Sequence, residues 1–99
     1  MKKEEIQIVT LAAGTDLKKL NISIQYDIIF DATDIAVSRL FVAAYNRQLE
    51  QIKSDNYSRV LVVDSSYLSL FTDADAVVPT LGEAHDLIEM ERIERDLGF

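Results

Sequence analysis

Along this chain, apolar residues recur at every second position in some stretches and at every third or fourth in others. The two periods divide it into strands and helices. The tightest apolar run is residues 59–64, Arg59-Val60-Leu61-Val62-Val63-Asp64, rich in β-branched side chains and charged at both ends. A strand covered on both faces reads this way, so the run is assigned as the central strand. In residues 21–30, Ile22, Ile24, Tyr26, Ile28 and Phe30 alternate with Ser23, Gln25, Asp27 and Ile29. Period two places the first set on the core and most of the second in water. A sheet wet on one face is usually antiparallel. Residues 6–12 form a further strand, with Ile6, Ile8 and Thr10 on one face and Gln7, Val9 and Leu11 on the other. The break at Gly14-Thr15-Asp16 makes antiparallel pairing with residues 21–30 the natural expectation.

From residue 35 to about residue 53 the period becomes helical. Val37, Phe41, Tyr45, Leu49 and Ile52 fall on one wide stripe, with Arg39, Asn46, Arg47 and Glu50 opposite. Thr33 or Asp34 supplies the expected N-terminal cap, and Ser54-Asp55-Asn56 the stop. After the central strand, residues 65–71 alternate again (Tyr67, Ser69 and Phe71 against Leu68 and Leu70), which predicts a second strand or an extended loop. Residues 72–75 read as a turn, and Ala76-Val77-Val78 as a short apolar piece before Pro79. Thr80-Leu81-Gly82-Glu83 fits the capping-box pattern and opens a helix that runs to about Leu97, with Gly98 as its stop. The apolar positions of this last helix change face. Leu81, Ala84 and Ile88 share one stripe; Met90, Ile93 and Leu97 share another, almost opposite. The first can lie on the sheet; the second can reach the end of the sheet, the first helix or another subunit, and is the candidate interface with a protein partner or a second copy of the chain.

The expected architecture is a single α/β domain over residues 1–99, a mixed sheet of about four strands with two main helices in the order β-β-α-β-β-α. Ninety-nine residues suffice for one core without disulfides. Composition narrows the chemistry. With no cysteine, thiol catalysis, disulfides and thiolate metal sites are excluded. Seventeen acids against ten Lys and Arg give a net charge of −7, the wrong sign for a phosphate-neutralising surface, so no nucleic-acid partner is expected. No apolar run is long enough for a membrane span, and no apolar signal core follows Met1-Lys2-Lys3-Glu4-Glu5, so the expected location is the cytoplasm.

Candidate chemistry is sparse. Asp64-Ser65-Ser66 places an acid and two hydroxyls just past a strand's carboxyl end, where α/β sheets bind ligands. These three are the ligand or phosphoacceptor candidates; the plain alternative is that Asp and Ser satisfy loop backbone. Asp73 and Asp75 with Asp64 could offer oxygens to a hard cation, but their spacing matches no calcium loop, and no metal or cofactor is expected. His85, the single histidine, lies four residues before Glu89, which suits a helix-surface pair better than a catalytic one. The charges of the last helix read either as a solvated face or as the rim of a partner surface centred on Met90, Ile93 and Leu97.

The order from residue 21 onward resembles the STAS domain, the family of the anti-sigma-factor antagonists. An alternating strand leads through Asp31-Ala32-Thr33-Asp34 to a helix; a strand of the Val-Val-Val-Asp type follows at Leu61-Val62-Val63-Asp64. Val78-Pro79-Thr80-Leu81-Gly82-Glu83-Ala84 is similar to the family's closing strand-to-helix step. The resemblance implies a non-catalytic regulatory module that binds protein, through the C-terminal helix or the strand-end loops. The family's regulatory turn reads Asp-Ser-Ser-Gly. Here Asp64-Ser65-Ser66-Tyr67 comes too early and Asp73-Ala74-Asp75-Ala76 has no hydroxyl, so no phosphorylated serine is carried over. The chain is also one strand–helix unit short between Phe71 and Ala76. A small-molecule or phosphate-binding domain using Asp64, Ser65 and Ser66 is the alternative function.

Overall fold

The computed structural model describes residues 6–20, 25–52, 55–72 and 76–98. Four strands, β1 (Ile6–Thr10), β2 (Asp27–Asp31), β3 (Arg59–Val62) and β4 (Val77–Val78), form one sheet in the order β1-β2-β3-β4. The two main helices are α1 (Arg39–Ile52), between β2 and β3, and α2 (Leu81–Asp96), after β4. The expected order of strands and helices is therefore the observed one, with β3 in the centre and buried throughout.

All three strand pairings are parallel, so the sheet is not mixed. The antiparallel expectation rested on a wet outer face for the second strand, and that face is dry. Asp27, Ile28, Ile29 and Phe30 are all buried. Parallel neighbours need a crossover over one face of the sheet. Between β1 and β2 that crossover carries a short 3₁₀ helix, Leu17–Lys19, capped by Asp16 and anchored by buried Leu17. Residues 65–71 also depart from expectation. Ser65–Leu70 is a 3₁₀ helix, and the fourth strand is the short Val77–Val78. Six residues of mixed character are compatible with both, and a cap decides here: the Asp64 carboxylate takes the Ser66 N–H at 3.0 Å.

The two faces of the sheet carry separate cores. Ile28, Phe30, Leu61 and Val63 point to the side covered by α1, where Tyr45 meets Phe30 edge-on with ring centroids 5.6 Å apart. Leu17 and Leu68 from the two 3₁₀ helices, with Phe71 just after the second, complete that layer. Ile29, Val60 and Val62 point to the other side, against Ala84 and Ile88 of α2. That helix lies on β2, β3 and β4, and Ile8 of β1, on the same face, stays 47% exposed.

Helix ends follow local chemistry. Ser38, rather than Thr33 or Asp34, caps α1: its hydroxyl accepts the Phe41 N–H at 3.2 Å. Thr80 caps α2 as expected, accepting the Glu83 N–H at 3.1 Å. Gly98 follows α2 with φ +83°, a left-handed stop that a side chain would strain. The expectations for Ile22 and Ile24 in the second strand, and for Asp73 and Asp75 as turn residues and cation ligands, lie outside the described residues.

Candidate functional site

Both helices run back antiparallel to the strands, so the molecule has two chemically different ends. At the amino end of the sheet, Asp27 begins β2 and is 1% exposed. Oδ1 accepts the Ser58 backbone N–H at 2.6 Å, and Oδ2 accepts Arg92 Nε at 2.6 Å. A second Arg92 nitrogen, Nη2, stands 2.6 Å from the same oxygen, and Arg95 Nη2 lies 3.4 Å from Oδ1. Ser58 donates its hydroxyl to Glu91 and accepts from Arg95 Nη1 at 3.1 Å. On the opposite face of the sheet, Arg59 donates Nε to the Ile52 carbonyl at 3.0 Å and Nη1 to the Tyr26 carbonyl at 2.6 Å. It thereby meets the negative end of α1. Burial lowers the Arg59 pKa from its usual value, against the charge of Asp27, which raises it. No buried side-chain nitrogen or oxygen among the described residues lacks a partner. The cluster is saturated from within and has the character of a staple that holds the last turns of both helices to the sheet.

This staple explains why the apolar stripe of α2 changes face. Ala84 and Ile88 face the sheet, and at 100° per residue Arg92 and Arg95 continue the same inward line. The helix keeps its orientation; the surface beneath it turns from Val and Ile to Asp27 and Ser58. Arginine therefore replaces aliphatic residues on the inward side. Met90, Ile93 and Leu97 are left outside, 55%, 57% and 65% exposed. Glu89 and Asp96 flank this stripe on one side and Glu83 and Glu94 on the other; all four are exposed, as is Asp86. The two arginines are drawn inward, so the outer face of α2 is acidic around an apolar line.

At the carboxyl end of the sheet, the sequence-derived candidates Asp64, Ser65 and Ser66 are all exposed. The Asp64 carboxylate accepts the Ser66 hydroxyl at 2.6 Å as well as its N–H. These bonds hold the Asp64 pKa below the ordinary carboxylate value, the hydroxyl contributing most. Asp31, at the end of β2, repeats the arrangement by accepting the Thr33 N–H at 3.1 Å and the Thr33 hydroxyl at 2.7 Å. Two adjacent strands thus end in the same Asp-x-Ser/Thr turn, each carboxylate occupied by its own loop. Among the described residues, no group of three or more His, Cys, Asp or Glu is placed to hold a metal ion. His85 and Glu89 are both exposed on α2.

Sequence reasoning found the outer stripe of α2 and missed the staple. Asp27 read as a solvated alternate, and Arg92 and Arg95, among the charges of the last helix, as a solvated face or a partner rim. The available signal was the i, i+3 spacing of the two arginines in line with Ala84 and Ile88. No helix among the described residues is long and apolar enough to cross a membrane. Comparison of the chain with protein families, curated proteins and solved structures gives no match.

Proposed function

We propose that this chain is a non-catalytic regulatory module, STAS-like in its order of elements, that binds protein through the outer face of α2. The observation that carries the reading is the exposed line Met90, Ile93 and Leu97 on a helix whose other side is already engaged with the sheet. Three large apolar side chains in register, rimmed by acids, have the make-up of an interface core with a polar rim. The Asp64-Ser65-Ser66 loop supports the alternative, phosphate or small-molecule binding, less well. Its carboxylate is ionised and shares the carboxyl edge of the sheet with Asp31, and two carboxylates repel an incoming anion.

A photo-crosslinking residue placed at position 93, with the same residue at position 85 as the control on the flank of α2, tests the proposal in the cells that make the protein. Position 93 is expected to capture protein in discrete adducts and position 85 to capture much less. Equal, weak labelling at both positions would remove the interface.

A further inference from the structure

Across the sheet from α2 lies a second surface of complementary character. The Leu17–Lys19 helix and α1 enclose a groove of about 270 Å³, floored by Leu17, Phe41 and Ala44 and rimmed by Lys18, Leu40 and Arg47. Leu40 is 84% exposed, the most exposed large apolar side chain among the described residues. Lys18 and Arg47, the two cations that line it, are both exposed. Asp16 also lines the groove, with its carboxylate accepting the Lys18 N–H. The molecule therefore presents an apolar line with an acidic rim on one face and an apolar groove with a mainly basic rim on the other.

We infer that the occupant of the groove is the α2 face of a second copy of this chain, so that copies stack head to tail. The inference rests on the reading of α2 as an interface and names its partner. Charge decides the pairing. Two α2 faces brought together would oppose Glu83, Asp86, Glu89, Glu94 and Asp96 with the same five acids, and like charges in close contact cost several kcal/mol. Set on the groove, those acids meet Lys18 and Arg47, while Ile93 or Leu97 enters beside Phe41 and Ala44. The two surfaces lie on opposite sides of one sheet, so the contact is heterologous: a joined pair keeps one free groove and one free stripe. Such a contact propagates instead of closing as a two-fold dimer.

Sedimentation velocity on four samples tests this: wild type, Ile93→Asp, Leu40→Asp, and an equimolar mixture of the two variants. Both substituted side chains are exposed, and circular dichroism verifies that the variants fold. The wild type is expected to grow beyond dimer as concentration rises and to shrink with added salt, which screens the rim charges. Each variant alone is expected to be monomeric. The mixture is expected to recover a species that stops at dimer, because one intact groove meets one intact stripe. Association that survives Leu40→Asp but not Ile93→Asp would overturn the groove as the docking site and point to α2 pairing with α2. A wild type that stays monomeric throughout would overturn self-assembly. The crosslinking at position 93 then says whether α2 still binds another protein, so the two failures are distinguishable.

Discussion

Asp27 and Asp64 stand at opposite ends of neighbouring strands and show how position sets what a carboxylate does. Asp27 sits where β2 enters the sheet, under the last turns of α2, out of water and held by two arginines and a backbone N–H. Asp64 sits where β3 leaves the sheet, in water, and holds only its own loop through Ser66. In a parallel sheet with both helices antiparallel to the strands, helix carboxyl ends collect at one edge and helix amino ends at the other. Arginines of a helix's last turns thus meet the amino edge, and a carboxylate there gains partners. The other edge is left to caps and turns. One end of this molecule is therefore bound into the fold and the other is open. The interface proposed for α2 follows from the bound end, because the staple fixes which side of the helix turns outward.

The largest effect is expected at Asp27. Asp27→Ala leaves two arginines and the Ser58 N–H without their acceptor in a buried setting, a change that typically costs about 3–5 kcal/mol. Urea denaturation of the variant is expected to show a loss of that size, and little loss would mean that the cluster is wet. Next in size is Arg92→Met, which removes the two 2.6 Å contacts to Asp27 and is expected to cost about 2 kcal/mol. Arg95→Met, whose contact to Asp27 is 3.4 Å, is expected to cost less. If the two arginine variants prove equal, the staple is shared differently from its geometry.

At the open end, substitution is expected to act on titration more than on stability. The Asp64 pKa is held down by Ser66, so its contribution is present above the unfolded carboxylate value and is lost as pH falls through the lower folded value. An NMR titration of the Asp64 carboxyl is expected to give a pKa below that of free aspartate, rising toward it in Ser66→Ala. No difference between the two proteins would show that the hydroxyl does not bind the carboxylate in solution. The smallest effect is expected in the first turn of α2. A Cβ built on Gly82 meets nothing closer than Thr80 Oγ1 at 3.9 Å. Gly82→Ala should therefore raise stability by about 0.5–1 kcal/mol in the same urea experiment, without changing the proposed interface.

Much of this architecture was legible in the chain. Residues 59–64 alone announce a strand buried on both faces, and the stripe from Val37 through Ile52 announces α1, because backbone period and apolar period must agree wherever one face is dry. The capping role of Thr80 and the stop at Gly98 were equally readable, being local backbone chemistry. Strand direction was not. Alternation across residues 21–30 put Asp27 outside, and only the arrival of α2, more than sixty residues later, supplies the arginines that let an aspartate be buried. The 3₁₀ helix over Ser65–Leu70 was also hidden, because six residues of mixed character fit either geometry until a cap selects one.

By itself, then, the sequence determined where the central strand and the two main helices lie and which residues of α2 are apolar, since both depend on neighbours a few positions away. Only the tertiary structure decided that the sheet is parallel and that Met90, Ile93 and Leu97 remain outside. Those outcomes depend on which distant charged groups reach one another in a space closed to water, where an ion unpaired costs more than any local preference can repay.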